Sequence, residues 1–196
     1  MSNPSPPRSR DSEGRRLGRI LVEEPAIARR TDELAQAIRR ELPDDEPVIV
    51  GLLTGSFVFV ADLARALSRC GVRPRVHFLQ TSHYGAGRHP QGRVAILRDL
   101  DADVKGRSVL VVDDILDSGR SLSQVLGLLG DRGATWLKSC VLLDKPARRS
   151  EGIVADWVGF EIPDAWVVGY GLDDAGAYRE LPFVAELLPA PAESGA

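Results

Sequence analysis

The strongest constraint on the fold is an uninterrupted apolar run from Val109 to Val112. A strand with one face in water alternates apolar and polar residues, whereas a continuous run is typical of a strand covered on both faces. Residues Val48 to Leu53 form a second run of this kind. Each run is followed by a turn and then by apolar residues three or four apart, which indicates a helix. This alternation predicts an α/β fold with a doubly wound, mainly parallel sheet flanked by helices.

Helix boundaries are predicted from charges, prolines and glycines. The first helix is expected after Glu23 and Glu24, because acidic residues stabilise a helix N-terminus and Pro25 suits its first position. Its predicted buried face comprises Ile27, Leu34, Ile38 and Leu42. The second helix is expected between Ser56 and Gly71. Its predicted apolar face comprises Phe57, Val60, Ala61, Ala64 and Leu67.

The other predicted strands are short apolar runs that lie between turn residues. They span about residues 76–80, 94–97, 136–143, 154–160 and 166–169. A third helix is expected after Ser121, because apolar residues with helical spacing follow it. The stretch from Ser82 to Arg93 is rich in Gly, His and Arg and lacks hydrophobic repetition, so we expect a mobile loop there.

Composition limits the domain organisation and the classes of partner. A chain of 196 residues with 43% hydrophobic content is sufficient for one domain, expected at residues 17–190. Residues 1–16 are predicted to be a disordered leader and residues 191–196 a flexible tail. The net charge of -3 argues against nucleic acid or an anionic membrane as a partner. The sequence contains no membrane-spanning run and no apolar core of a signal peptide, so we expect a cytoplasmic protein.

The residues after the strongest strand have the composition of a phosphate site. Ser118, Gly119, Arg120 and Ser121 lie between that strand and a predicted helix, so their amides and the helix N-terminus point to one place. Glycine allows close approach of a ligand, the hydroxyls add donors, and the guanidinium adds positive charge. The pattern GxxxxGK[ST] is absent, which excludes a Walker loop.

Three aspartates surround this predicted phosphate site. Asp113 and Asp114 are adjacent at the strand end, where they are suited to polyol hydroxyls or a hydrated Mg²⁺. Asp117 lies four residues after Asp113, where it could exchange a proton with a ring nitrogen. The alternative is a strand-end turn with capping aspartates. A phosphate site beside a diol site favours a ribose 5-phosphate as ligand.

Residues 109–122, VLVVDDILDSGRSL, resemble the signature with which type I phosphoribosyltransferases bind 5-phosphoribosyl-1-pyrophosphate (PRPP). Three more segments resemble the hypoxanthine-guanine branch of that family: LLTGSFVFVADLARAL, LLDKPARR and VGFEIPDAWVVGYGLDDAGAYRELP. With ILVEEPAI and TSHYG, the resemblance covers about residues 19–188. It implies the α/β sheet above, a small hood built from N- and C-terminal segments, and transfer of phosphoribose from PRPP to hypoxanthine or guanine.

The resemblance also implies roles for the residues that bind PRPP. Asp113 and Asp114 are implied to hold the ribose hydroxyls, and Asp117 is implied to be the acid and base at purine N7. The 5-phosphate is implied to lie on Asp117, Ser118, Gly119, Arg120 and Ser121. The expected cofactor is Mg²⁺, with Asp113, Asp114 and Asp173 as its implied ligands.

Residues on the purine and pyrophosphate sides are implied in the same way. Lys145 is implied to donate to the exocyclic O6, which selects 6-oxopurines over 6-aminopurines. Trp166 is implied to stack on the base and Val167 to present backbone groups to its edge, with Asp173 nearby. Arg179 is implied to contact pyrophosphate.

Two loops depart slightly from the family pattern. Thr54 and Gly55 match the pyrophosphate loop, in which a basic residue often precedes the glycine and a non-proline cis peptide is common. Ser82, His83 and Tyr84 match a flexible lid, in which His83 replaces a common serine. We expect lid closure to survive that replacement and to exclude water from the reacting ribose.

The sequence leaves two alternatives to a hypoxanthine-guanine enzyme. An RNA-binding regulator with the same fold would need a basic face, whereas the longest basic cluster after Lys145 is the short pair Arg148 and Arg149. A transferase for another base is the second alternative; Lys145 and Trp166 disfavour adenine and orotate, whereas xanthine stays open.

We expect a homodimer or homotetramer, in which Phe57, Phe59 and Val60 serve either the core or an interface.

Overall fold

A computed structural model of the chain describes residues 14–82, 95–150 and 152–190, with only the backbone described at residue 82. The strands in these ranges are β1 (Arg16–Val22), β2 (Val48–Leu53), β3 (Arg75–Ser82), β4 (Ala95–Arg98), β5 (Ser108–Leu116), β6 (Trp136–Asp144), β7 (Trp157–Glu161), β8 (Val167–Val168) and β9 (Val184–Leu188). The helices are α1 (Glu24–Glu41), α2 (Phe57–Arg69) and α3 (Arg120–Asp131), and a short 3-10 helix spans Pro146–Arg148. None of the helices in these ranges is long and apolar enough to cross a membrane.

Six strands form the main sheet, in the order β4-β3-β2-β5-β6-β7. The pairs β2–β3, β2–β5, β5–β6 and β6–β7 are parallel, and β4 pairs with β3 in the antiparallel direction. The prediction of a mainly parallel sheet is therefore confirmed. Because β2, β5 and β6 run in the same direction, their carboxyl ends meet at one edge, where open α/β sheets bind ligands.

The apolar run that begins β5 is buried on both faces. Leu110 and Val112 pack in one core layer with residues of α1 and α2. Val109 and Val111 pack in a second layer with residues of α3. All four side chains have no exposed surface. Helices therefore cover both faces of the sheet, as the uninterrupted run predicted.

The predicted buried face of α1 is confirmed, but that of α2 is partly wrong. In α2, Phe59 and Leu63 are fully buried, whereas the predicted Phe57 is 40% exposed and Ala61 is exposed. The helix is apolar on most of its circumference, so a spacing of three or four fits more than one face. Phe59 and Val60 belong to the core.

A separate three-stranded sheet has the order β1-β9-β8 and joins the two ends of the described chain. Arg16 of β1 lies opposite Leu188 of β9, and Val167 of β8 lies opposite Glu186. Neither β1 nor β9 was predicted from apolar periodicity. Strand β1 begins within the stretch predicted as a leader, whereas residues 1–13 and the predicted tail lie outside the described residues.

We predict that Leu110→Ala lowers the free energy of unfolding by about 2–5 kcal/mol, because it leaves a cavity in the central strand. Leu97→Ala is the matched control, since Leu97 is 55% exposed on β4, and its cost should be below about 1 kcal/mol. Urea denaturation of the two variants measures the difference. Equal losses would contradict the assignment of Leu110 to the core.

Candidate active site

A cleft of about 420 Å³ opens at the carboxyl ends of β2 and β5. Its walls come from the loops after these two strands and from the segment that contains Asp173 and Arg179. The cleft brings together most of the site residues predicted from the sequence: Thr54, Gly55, Asp113, Asp114, Asp117, Ser118, Gly119, Ser121, Asp173 and Arg179. Residues far apart in the chain therefore share one cavity.

The other predicted residues that the structure describes are not part of the lining of this cleft. Lys145 is buried, and the side chain of Arg120 is exposed at the start of α3. Trp166 is 55% exposed, and its neighbour Val167 is buried in β8. Of the predicted lid, His83 and Tyr84 lie outside the described residues, and of Ser82 only the backbone is described.

The loop between β5 and α3 is shaped to receive an anion. Gly119 caps α3 with a φ of 88°, a left-handed conformation that favours glycine. Glycine offers no side chain to cap the first turn, and the amides of a first helical turn have no partners within the helix. The hydroxyl of Ser121, in that first turn, lines the cleft. The positive end of the helix dipole thus faces the cavity.

Asp113 and Asp114 form a pair of partly buried carboxylates at the end of β5. The amide of Asp114 donates to Asp113 Oδ1 at 3.0 Å, and the amide of Ile115 donates to Asp114 Oδ1 at 2.9 Å. Burial raises the pKa of Asp113 well above its usual value of 3.8, and the negative charge of Asp114 raises it further. Burial also raises the pKa of Asp114, although hydrogen bonding to Asp113 and to the Ile115 amide and, less strongly, the charge of Arg179 oppose that rise. The pair therefore favours hydroxyl donors or a cation as neighbours.

The loop after β2 approaches this pair so closely that its residue 55 has no room for a side chain. A Cβ placed on Gly55 would lie 1.6 Å from Asp114 Oδ2. On the other side, a Cβ on Gly171 would lie 2.1 Å from the carbonyl oxygen of Gly55. The Leu53–Thr54 peptide bond is cis, which the sequence pattern alone did not determine. Three separate segments therefore meet at Gly55.

Arg179 supplies positive charge on the far wall of the cleft. Its Nη2 lies 2.8 Å from Asp173 Oδ1, and its Nη1 donates to the carbonyl oxygen of Gly171 at 2.6 Å. The second oxygen of Asp173 accepts from the amide of Gly176 at 2.8 Å. Asp173 is thus fixed by two contacts and in turn orients Arg179. Among the described residues, no group of three His, Cys, Asp or Glu side chains is arranged to hold a metal ion.

Lys145 lies behind the loop that bears Asp117. Its Nζ donates to the carbonyl oxygen of Ala165 at 2.5 Å, which joins it to the residue before Trp166. Burial lowers the pKa of Lys145, and the charges of Asp117 and Asp164 oppose that effect. The lysine therefore lies where the Asp117 loop meets the Trp166 segment.

Sequence reasoning assigned no role in the site to Arg148, which the structure places beside Asp117. Arg148 Nε lies 3.3 Å from Asp117 Oδ1, and Arg148 Nη1 lies 3.7 Å from Asp164 Oδ1. The only signal in the sequence was its position three residues after Lys145 in a short basic cluster. That signal is weak, because basic residues after a strand are common on protein surfaces.

Comparison with known proteins gives a consistent result. The family model of the phosphoribosyl transferase domain matches residues 19–175. The chain is 45% identical over 171 residues to the hypoxanthine phosphoribosyltransferase of Salmonella typhimurium, covering 86% of this chain and 94% of that protein. It is 42% identical over 178 residues to the hypoxanthine-guanine phosphoribosyltransferase of Bacillus subtilis, covering 91% of this chain and 97% of that protein. A crystal structure of a hypoxanthine-guanine phosphoribosyltransferase from Bacillus anthracis matches with a TM-score of 0.81 at 39% identity, covering 87% and 98% of the two chains.

We predict that Gly55→Ala moves the Asp114 carboxylate or the loop after β2, because the added methyl group would overlap with that carboxylate. The expected loss of unfolding free energy is about 1–3 kcal/mol, the usual cost of overpacking. Gly127→Ala is the matched control, since Gly127 lies in α3 with nothing within 4 Å of an added Cβ. Chemical denaturation compares the two, and a Gly55→Ala protein as stable as the control would contradict the close approach.

We also predict that Asp113→Asn stabilises the protein at neutral pH in the absence of divalent cations. Because the folded-state pKa of Asp113 is raised, the wild-type protein loses stability as the pH rises from about 4 through that pKa. Asparagine does not ionise, so the gain in melting temperature should be present at pH 7 and disappear toward pH 4. Thermal unfolding at a series of pH values measures it, with Asp131→Asn, at an exposed aspartate, as the control. A gain that is independent of pH would argue against a buried charge.

Proposed function

The chain belongs to the phosphoribosyltransferase family, and on that premise we propose that it transfers the 5-phosphoribosyl group of PRPP to hypoxanthine or guanine. The products are inosine or guanosine 5′-monophosphate and pyrophosphate, so the reaction is one of purine salvage. The observation that carries the proposal is the cleft itself. It unites the loop at the N-terminus of α3, a carboxylate pair and an arginine in one cavity.

The loop after β5 is proposed to bind the phosphorylated ribose. The 5-phosphate lies on the amides and side chains of residues 117–121, at the N-terminus of α3. Asp113 and Asp114 accept hydrogen bonds from the ribose hydroxyls. Support comes from the raised pKa of both carboxyls, which results from burial. Hydrogen bonds from ribose hydroxyls would replace the hydrogen bonds to water that burial removes.

Pyrophosphate is proposed to leave toward the opposite wall of the cleft. Thr54 and Gly55 offer backbone groups there, and Arg179 offers a guanidinium suited to phosphate oxygens. Arg179 is held by Asp173 and by the carbonyl oxygen of Gly171. The guanidinium is therefore in place before the leaving group develops its charge.

Mg²⁺ is proposed as the cofactor, because the carboxylates of the cleft are suited to it. Mg²⁺ prefers carboxylate oxygens and is commonly held by one or two of them together with substrate phosphates. Asp113, Asp114 and Asp173 supply such oxygens on two sides of the cleft. When bound, the ion would neutralise negative charge on the pyrophosphate.

Asp117 is proposed to accept the proton from purine N7 while N9 bonds to C1 of the ribose and the bond from C1 to pyrophosphate breaks. Lys145 is proposed to donate to O6, Trp166 to stack on the base, and Val167 to present backbone groups to its edge. Supporting this arrangement, Lys145 connects the Asp117 loop to the residue before Trp166. Trp166 is 55% exposed, which leaves room for a stacking partner. The donor at Lys145 favours a 6-oxo group over a 6-amino group.

The lid and the oligomeric state expected from the sequence are also proposed. The lid formed by Ser82, His83 and Tyr84 is proposed to close over the pyrophosphate and keep water from the ribose. The active form is proposed to be a homodimer or homotetramer.

We predict that the wild-type protein, supplied with PRPP and Mg²⁺, turns over hypoxanthine and guanine, and that Asp117→Asn lowers kcat by about 10²–10⁴-fold. The loss is expected because asparagine keeps the shape of the side chain but does not accept the proton. A spectrophotometric assay measures both proteins with hypoxanthine, guanine, xanthine, adenine and orotate in turn.

The matched control is Asp131→Asn, the same change at an exposed residue that ends α3. It should retain wild-type kcat. Absence of turnover of every base by the wild-type protein would overturn the proposed function. Preferred turnover of xanthine would retain the reaction and change the base, whereas full activity of Asp117→Asn would remove that residue from the chemistry.

A further inference from the structure

A short strap, residues 145–150, crosses the loop that bears Asp117. The amide of Lys145 donates to the carbonyl oxygen of Leu116 at 3.0 Å. The amide and the hydroxyl of Ser150 donate to the carbonyl oxygen of Ser118 at 3.1 and 3.2 Å. The residues on both sides of Asp117 are therefore fixed by the two ends of the strap, while these bonds leave the Asp117 side chain itself free to rotate.

Arg148, in the middle of the strap, contacts that side chain. Its Nε lies 3.3 Å from Asp117 Oδ1, a buried oxygen that makes no hydrogen bond among the described residues. Its Nη1 reaches Asp164 Oδ1 at 3.7 Å. The guanidinium thus lies between a carboxylate of the β5–α3 loop and a carboxylate of the segment that leads to Trp166.

The two adjacent arginines of the strap make contacts of different kinds. Arg149 is largely buried, pairs closely with Asp144 and donates to the carbonyl oxygen of Ile153 at 2.9 Å, which are contacts within the fold. The side chain of Arg148 is 47% exposed, and those of Asp117 and Asp164 are 41% and 54% exposed. Ion pairs this exposed contribute little to folding. Arg148 is therefore expected to affect the orientation of the Asp117 side chain and not the stability of the fold.

We infer that Arg148 is a positioning residue, which holds the Asp117 carboxylate at the angle needed to meet the purine and couples it to the segment before Trp166. The inference rests on the proposed function, because it acts through the role of Asp117. Arg148 itself does not line the cleft, so it is not a catalytic residue. Removing it should change the rate of the chemical step more than the binding of PRPP.

The test compares Arg148→Gln, Arg148→Lys and a control, Arg73→Gln, by steady-state kinetics, with PRPP binding measured by calorimetry. Arg73 is a matched choice, because it also bridges two carboxylates, Asp45 at 3.1 Å and Glu46 at 3.2 Å, and lies near the amino end of β3, away from the cleft. We expect Arg148→Gln to lower kcat by roughly tenfold to a hundredfold, the scale for a reacting group misplaced by about 1 Å. Affinity for PRPP and the melting temperature should match those of the control.

Two further measurements separate positioning from a general loss. Arg148→Lys should recover part of kcat, because it restores the charge without the planar fork of donors. In the Asp117→Asn background, Arg148→Gln should cause no additional loss of kcat. Two substitutions that act through the same catalytic group do not have additive effects on the rate. With an active wild-type protein, kcat of Arg148→Gln equal to that of Arg73→Gln, or a full additional loss beside Asp117→Asn, would overturn the inference alone. Absence of wild-type turnover would overturn the proposed function and this inference with it.

Discussion

The close packing of three segments, namely the end of β5, the loop at Gly55 and the segment at Gly171, is the constraint on which the site depends. Gly55 lies against Asp114, and Gly171 lies against Gly55, at distances that leave no space for a Cβ on either glycine. This contact brings the segment with Asp173 and Arg179 against the sheet edge. The hydroxyl of Tyr170 donates to Asp62 of α2 at 2.5 Å and ties the same segment to the helix that follows Gly55. Without these contacts, the carboxylate pair and the arginine would not share a cavity.

The parts of the fold that depend on local sequence could be predicted, and those that depend on distant pairing could not. Strand β5 is recognisable because both its faces are covered, so that every residue from Val109 to Val112 is apolar. Strands β1 and β9 pair with each other from opposite ends of the described chain, and their mixed burial gives no clear period. The face of α2 was misassigned in part because an apolar helix fits several packing faces equally well.

The residues of the site show the same difference between what local sequence predicts and what distant contacts determine. The loop after β5 is contiguous in sequence, so the presence of Ser118, Gly119 and Ser121 in one cavity could be predicted from residue types and their place after a strand. The assignments of Lys145, Trp166 and Arg179 came from resemblance to a family, because nothing local distinguishes them from surface or core residues. Arg148 was missed since its partners, Asp117 and Asp164, lie in other loops. Only the folded chain shows that contact.

Arginines and carboxylates of the site contact each other, so several of its charged groups are held by neighbours within the protein. Arg179 is oriented by Asp173, and Asp117 is contacted by Arg148. A ligand that brings phosphate oxygens or a base therefore exchanges one set of polar partners for another, and few dipoles need to turn. The exception is the pair Asp113 and Asp114, because burial raises the pKa of both carboxyls and so disfavours their charged forms. Hydroxyl donors or a cation beside this pair would favour the ionised form and lower the pKa of both carboxyls.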